Sequence, residues 1–259
     1  MLVVSWNVNS VRARMERLRD FLRRFMPDIC LLQELKCTEA DFPGAELKAA
    51  GYHIYGTWQK TWNGVAILSR EPFVQSEHQL PGVENDEARF LAVSRPGLRV
   101  VNVYAPNGRH VGHEKYDEKL AWYGHLRRYV GSLEDRAHLV MGGDFNVAPQ
   151  DEDVHDPKKW HESILCSTPE RQALAGVLQA GELQDLFRLK NDGPGYYSWW
   201  DYRGLGFQMD KGLRIDFLLG GQAIAAGVAE CWIERDERRA PKDRQKPSDH
   251  APVMARIND

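Results

Sequence analysis

The stretch that most constrains the fold is Leu139 to Pro149, which reads Leu-Val-Met-Gly-Gly-Asp-Phe-Asn-Val-Ala-Pro. Leu139, Val140 and Met141 form a short apolar run suited to a strand buried on both faces. Gly142-Gly143 then predicts a tight turn and a close approach of backbone to a ligand. Asp144 and Asn146 would leave this strand end together. A carboxylate and an amide two positions apart can share a hard cation, or divide the activation of water and the holding of a developing anion. An isolated Asp and Asn after two glycines more often cap a turn. Here, however, other strand ends carry similar groups.

Leu2 to Trp6 is a β-prone run that delivers Asn7-Val8-Asn9-Ser10, and Ile29 to Leu32 is another that delivers Gln33-Glu34. Between them Leu18, Phe21, Leu22 and Phe25 recur at helical spacing, which predicts a helix over Met15 to Phe25 stopped by Pro27-Asp28. Gly64 to Ser69 reads as a further strand. Arg89 to Ser94 and Leu98 to Tyr104 are two runs joined by Arg95-Pro96-Gly97, so a hairpin is expected and the sheet is at least partly antiparallel. Tyr104 closes the second run, with Asn107 and Arg109 in the loop behind it. Tyr116 to Leu133 is the longest helical pattern, and Pro169 to Gln179 a second one begun by proline. His155 and His161 read as loop residues rather than a metal pair.

Tyr196 to Tyr202 is the densest aromatic cluster, flanked by Arg203, Lys211 and Arg214. Aromatics mostly fill cores, but such a cluster also suits stacking on an unpaired sugar or base while cations hold phosphates. Asp216 falls inside the apolar run Leu213 to Leu219, where a carboxylate needs a partner. Arg235 to Lys246 is a mixed, net-basic loop, and Pro247-Ser248-Asp249-His250-Ala251-Pro252 precedes a last strand, Val253 to Ile257.

The chain has 259 residues, of which 42% are hydrophobic and 27% charged, with a net charge of −3. That balance fits an ordinary globular protein and excludes disordered and fibrous classes. It does not advertise nucleic-acid binding, although acids clustered at a catalytic centre can offset a basic groove elsewhere. One domain spanning 1–259 is expected, without internal repeat or linker. Cys30, Cys37, Cys166 and Cys231 are scattered, which indicates neither a zinc site nor a disulfide framework. Met1 to Val4 reads as the start of a strand rather than a leader, no run is long enough to span a bilayer, and the expected setting is a reducing cytoplasm.

Together these groups make a chemical set. Mg²⁺ takes oxygen ligands and keeps several waters, so Glu34, Asp144 and Asp249, assisted by Asn7 and Asn146, would suffice to hold it. His250 is the natural partner for Asp216, since a buried carboxylate orients an imidazole and favours its charged form. Phosphodiester hydrolysis uses such parts: a cation to polarise the phosphate, a base for water, and donors for the pentavalent centre.

The motifs Trp6-Asn7-Val8-Asn9-Ser10, Gln33-Glu34-Leu35-Lys36, Asn63-Gly64-Val65-Ala66-Ile67, Tyr104-Ala105-Pro106-Asn107-Gly108, Gly143-Asp144-Phe145-Asn146-Val147-Ala148-Pro149, Asp153-Val154-His155-Asp156-Pro157, Ser198-Trp199-Trp200-Asp201-Tyr202-Arg203, Gly212-Leu213-Arg214-Ile215-Asp216 and Pro247-Ser248-Asp249-His250-Ala251-Pro252 occur in order along nearly the whole chain. In this the sequence resembles the exonuclease III family of apurinic/apyrimidinic endonucleases, close to its bacterial branch. The resemblance implies an α/β fold, a four-layer α/β/β/α sandwich of two mixed, largely antiparallel sheets flanked by helices. It implies Mg²⁺ or Mn²⁺ as cofactor. The implied activity is cleavage of duplex DNA 5′ of abasic sites, with 3′-to-5′ exonuclease and 3′-phosphodiesterase or phosphatase side activities on blocked 3′ ends, by a monomer.

Carried over by position, Glu34 matches the principal metal carboxylate, with Asn7 and Asp249 nearby. Asp144 matches the residue for water activation or leaving-group protonation, with Asn146 beside it. Tyr104 matches the catalytic phenol, Asp216 and His250 an Asp-His pair, and Trp199 a wall of the abasic pocket. His250 and Asn146 also stand as candidate ligands, and the choice of Asp144 or His250 as base, and of one metal or two, is open. The DNA-contact candidates are Asn107, Arg109, Trp199, Arg203, Phe207, Lys211, Leu213 and Arg214. Leu35 stands where many relatives have Thr, Asn9 where some have Asp, and the segment Gly206 to Lys211 is less basic than in some. A predominantly exonucleolytic enzyme, a small-molecule phosphoesterase and a catalytically silent DNA-binding module are the alternatives.

Overall fold

The structure is a computed structural model that describes residues 1–239 and 245–258. Two six-stranded sheets face each other. The first contains β1 (Leu2–Asn7), β2 (Ile29–Gln33), β3 (His53–Thr57), β4 (Val65–Ser69), β13 (Val228–Ile233) and β14 (Val253–Ile257), in the order β13-β14-β1-β2-β4-β3. The second contains β5 (Gln75–Glu77), β6 (Phe90–Arg95), β7 (Leu98–Tyr104), β8 (Leu139–Asp144), β9 (Gln184–Asp185) and β12 (Asp216–Gly220), in the order β5-β6-β7-β8-β12-β9. A separate two-stranded pair joins β10 (Trp199–Trp200) to β11 (Gly212–Leu213). The helices are α1 (Met15–Phe25), α2 (Gly44–Ala49), α3 (Glu114–Ser132), α4 (Pro157–Trp160), α5 (Thr168–Gly181) and α6 (Gln222–Gly227).

Apolar side chains fix the layering. Val3, Leu31, Val65 and Ile67 of the first sheet pack against Leu91, Val93, Val100, Val140 and Leu218 of the second, forming the inner core. Leu18, Phe21 and Leu22 of α1 cover the outer face of the first sheet with Val4, Trp6 and Leu32. Tyr123, Leu126 and Val130 of α3, with Leu174 and Val177 of α5, cover the second. The four-layer sandwich expected from the sequence is therefore present. The helix over Met15–Phe25 ends at Met26, whose φ is 46°, before Pro27. The long helix begins two residues earlier than its apolar pattern. The proline-led helix is α5, with a capping box between Ser167 and Glu170.

Each sheet holds one parallel pair, β1 with β2 and β7 with β8, and the remaining pairings are antiparallel. Each parallel pair is linked by a helix, α1 in one case and α3 in the other. The sheets are thus built on one plan, a relation that no internal sequence repeat advertised. In open α/β sheets, polar groups at the carboxyl ends of parallel strands are free of the ladder and face a crevice. The two parallel pairs bring four such ends together.

Two expectations need correction. Gly142 and Gly143 do not form a turn; both lie within β8. They are small because neighbours come close: a Cβ on Gly142 would meet Leu31 Cδ1 of the facing sheet at 2.6 Å, and one on Gly143, where φ is 154°, would meet the Val103 carbonyl oxygen at 1.9 Å. Gly143→Ala is therefore expected to destabilise the fold by roughly 3 kcal/mol or more. A urea midpoint equal to wild type would show that β7 and β8 can separate at no penalty. Asp216 opens β12 rather than lying inside it. In the basic loop from Arg235, residues 235–238 form a short 3-10 helix in which Glu237 and Arg238 are buried, and 240–244 lie outside the described residues.

Candidate active site

Strand register places the functional side chains. Asn7 ends β1 opposite Gln33, which ends β2, and Glu34 follows with φ of 53°. Tyr104 ends β7 opposite Asp144, which ends β8, and Asp144 also pairs with Asp216 of β12. His250 lies just before β14 and bridges to Trp199. Residues far apart in sequence thereby share one end of the sandwich.

Their contacts form a continuous network. The Asn7 amide donates to Glu34 Oε1 at 2.8 Å and to Asp144 Oδ2 at 3.0 Å. His250 Nδ1 donates to Asp216 Oδ2 at 2.9 Å, while its Nε2 lies 3.8 Å from Asp144 Oδ2. The Asn146 backbone N–H donates to Asp144 Oδ1 at 2.9 Å, and the Asn146 side chain links the Ala105 carbonyl to Asn107. Glu34, Asp144 and His250 each offer a ligand atom, all within 4.8 Å of one another. Two carboxylates with amide oxygens nearby fit a hard divalent cation.

Burial sets the charge states. The Asp144 carboxyl is pushed up to about 7, first by burial, then by Asp216 and Glu34, against the pull of His250. Burial opposes charge on His250, but Asp216 and Asp144 outweigh it and hold the imidazole up to about 10. Burial, with Glu34 and Asp144 beside it, keeps the Tyr104 phenol well above its ordinary value. At neutral pH His250 is a cation and Tyr104 a proton donor. In this charged form the imidazole is a donor, and its Nε2 could ligate a metal only after losing its proton. In the metal-free protein, Asp216→Asn is expected to lower the His250 titration from near 10 toward the ordinary histidine range. Imidazole NMR shifts followed against pH check this, and an unmoved midpoint would assign the charge stabilisation elsewhere.

The other candidates divide. Asp249 stands outside the tight cluster: its Oδ1 accepts from Asn9 at 2.8 Å and its Oδ2 from Trp199 Nε1 at 3.1 Å. Asn107, Arg109 and Lys211 are exposed, as is Arg203, which is paired with Asp201. Phe207 and Trp199 are half-buried: Phe207 stacks edgewise on Trp200, and Trp199 packs against the cluster of Val154, Leu213 and Ile215. Leu213 and Arg214 correct the expectation. Leu213 is wholly buried, and Arg214 is enclosed by Asp153 at 2.6 Å and Asp185 at 2.6 Å, so it braces the scaffold and leaves no cation for phosphate. A cavity of about 1120 Å³ runs away from Tyr104 past Arg89, Asn107, Arg109 and Trp62. It adjoins the acid cluster without including it.

Sequence reading missed the supports. Ser198 Oγ donates to Asp216 Oδ2 at 2.6 Å and accepts from the Asp216 N–H at 3.0 Å, fixing the carboxylate that holds His250. Lys119 is wholly buried, paired with Glu170, and donates to the carbonyls of Asn107 at 3.1 Å and Asn146 at 2.7 Å. Its signal was available: Lys119 shares the inner stripe of α3 with Tyr116, Tyr123 and Leu126, where a charge demands a partner.

The chain matches the Endonuclease/Exonuclease/phosphatase family over residues 4–250. It is 33% identical to exodeoxyribonuclease III of Haemophilus influenzae over 268 aligned positions, covering 98% of this chain and 99% of that protein. The solved structure of the 3′ phosphatase NExo from Neisseria bound to a product DNA hairpin superposes with a TM-score of 0.94 at 40% identity, covering 100% of this chain and 99% of that one. An AP endonuclease from Archaeoglobus fulgidus superposes with a TM-score of 0.93 at 32% identity, covering 99% of each chain.

Proposed function

The chain belongs to the endonuclease/exonuclease/phosphatase family and is a hydrolase; from that premise we propose that it is a DNA-repair phosphodiesterase, cleaving duplex DNA 5′ of abasic sites and trimming blocked 3′ ends. The observation that carries this reading is the convergence of Glu34, Asp144 and His250 within 4.8 Å at the meeting point of the two parallel strand pairs. The enzyme is divalent-metal-dependent; Glu34, with the side-chain oxygen of Asn7, would hold Mg²⁺ or Mn²⁺ and leave Asp144 free of the ion, and the protein acts as a monomer.

When bound, the metal supplies Lewis acidity toward a phosphate oxygen. The protein groups divide the remaining work by charge. Asp144 is the general base: it is the group whose proton affinity lies near neutrality, and Asn146 and Asn7 hold both of its oxygens. His250, charged by Asp216, donates to the phosphate oxygen as negative charge builds, and the Tyr104 phenol, beside Glu34 and Asp144, is a second donor. Asn107 and Arg109 line the cavity beside Tyr104, and Trp199, half-buried and donating to Asp249, offers the aromatic face on which an unpaired sugar would stack.

A second reading, in which 3′-end processing dominates, is favoured by the 40% identity to a protein described as a 3′ phosphatase. Three substrates separate the possibilities: a duplex with an internal abasic analogue, a duplex ending in a 3′-phosphate, and an inositol phosphate. The leading reading expects Mg²⁺-dependent cleavage of both DNAs and none of the inositol phosphate. Release from the 3′-phosphate without internal incision would establish the second reading. Cleavage of the inositol phosphate alone would make the protein a small-molecule phosphoesterase, and no cleavage of any of the three would leave a silent DNA-binding module.

A further inference from the structure

A polar layer separates the apolar inner core from the active site. Side chains alternate along a strand, so Val3 and Ser5 of β1, Leu31 and Gln33 of β2, and Val100 and Asn102 of β7 all lie between the sheets, with Val3, Leu31 and Val100 in the inner core. Ser5, Gln33 and Asn102 have no exposed surface. Their hydrogen bonds cross from one sheet to the other. Asn102 of the second sheet donates from Nδ2 to the carbonyls of Leu32 at 3.0 Å and Ala66 at 2.8 Å, both in the first. Gln33 of the first sheet donates from Nε2 to Asn102 Oδ1 at 2.8 Å and to Ser5 Oγ at 3.2 Å. Both ends of the Asn102 amide are thus engaged on the opposite sheet.

Gln33 Oε1, by contrast, is buried without a partner among the described residues. Burying an unpaired acceptor weakens a fold, and apolar side chains of similar shape would fill the same space without that loss. Stability alone does not call for this layer. Placement does. The centre is divided between the sheets: Asn7 and Glu34 stand at strand ends of the first, Tyr104, Asp144 and Asp216 at strand ends of the second. The contacts of Leu31 and Val65 with Leu91 and Val140 that join the sheets are non-directional, so they oppose separation more than sliding. Hydrogen bonds fix direction as well as distance. Gln33 immediately precedes Glu34, Asn102 stands two residues before Tyr104, and Glu34 lies beside the Tyr104 phenol. The bond between the two amides therefore ties the strands together where each half of the centre emerges.

We propose that Asn102 and Gln33 form a latch between the sheets that sets the placement of Tyr104 relative to Glu34. Both are positioning residues: with no exposed surface, neither reaches a substrate. The proposal rests on the hydrolytic reading of the centre and adds to it the element that keeps its two halves in register.

The test replaces both amides by apolar side chains of similar shape, Gln33→Met with Asn102→Leu, in the full chain. Single-turnover cleavage in saturating Mg²⁺ is measured on whichever of the abasic-analogue and 3′-phosphate duplexes wild type cleaves faster, and binding of that duplex is measured in EDTA. The double variant is expected to cleave about 10- to 100-fold more slowly and to bind the duplex as wild type does. Tyr104→Phe completes a cycle: added to the latch variant, it should slow cleavage by a smaller factor than it does in wild type, because a phenol already out of place has less to lose. A folded latch variant that cleaves at the wild-type rate, a loss confined to duplex binding, or factors that simply multiply with Tyr104→Phe would overturn the latch. Asn102→Leu alone, which leaves Gln33 its bond to Ser5, is read by the same criteria if the double variant does not fold. No cleavage of either duplex by wild type would overturn the hydrolytic reading itself, a result distinct from a latch variant that matches an active wild type.

Discussion

Asp144→Asn lowers the cleavage rate by about 10³- to 10⁴-fold while leaving substrate binding nearly intact, the loss expected when a positioned general base is removed from a preorganised site. Asn retains the shape and can still accept from the Asn146 N–H, but it cannot take a proton from water. The same change is expected to stabilise the protein. Burial raises the folded Asp144 carboxyl to about 7 from an ordinary value near 4, so ionisation weakens the folded state. That loss is absent below about pH 4, develops as pH rises toward 7, and is complete above it. The Asn variant escapes it, gaining about 2 kcal/mol on wild type by pH 8 after allowance for the lost attraction to His250. Single-turnover kinetics and denaturant midpoints at pH 5 and pH 8 check both halves. A variant that keeps its rate, or whose stability advantage does not grow with pH, would remove Asp144 from the role of base.

Lys119→Met is expected to destabilise the fold by about 3–5 kcal/mol, because it strips the partner from a Glu170 carboxylate that has no exposed surface. Glu170 keeps the backbone N–H groups of Leu165 and Ser167 as donors, so Lys119→Met combined with Glu170→Gln should regain roughly half of that loss. Activity should not follow stability. Both variants lose the ammonium that ties the carbonyls of Asn107 and Asn146 to α3, so kcat should stay about 10-fold or more below wild type even where the midpoint recovers. If kcat returns with stability in the double variant, Lys119 serves the fold alone.

The parts of this structure that could be read from the sequence are those decided locally. Asn7, Glu34, Tyr104 and Asp144 each follow an apolar run, so their place at a strand end needs only the run and its terminus. The hairpin at Arg95-Pro96-Gly97 is likewise local, and Gly97 has the positive φ of 74° that such a turn uses. What the sequence hid depends on partners brought in by the fold. Arg214 looked like a phosphate-binding cation beside aromatics; only the packed structure shows Asp153 and Asp185 closing around it. Gly142 and Gly143 looked like a turn because glycine marks turns, whereas here it answers the approach of Leu31 and Val103. Asn9 and Asp249, 240 positions apart, meet just beyond the paired ends of β1 and β14. The two sheets share a plan in topology but not in residues, so no repeat could be found.

The measurement closest to the central claim uses a labelled duplex carrying one abasic analogue, incubated with the purified protein in Mg²⁺ or in EDTA, with Asp144→Asn alongside. The account predicts incision immediately 5′ of the lesion in Mg²⁺, none in EDTA, and a loss of about 10³-fold or more in the variant. Incision that survives EDTA, or equal incision by the variant, would contradict a metal-assisted hydrolytic centre built on Glu34, Asp144 and His250.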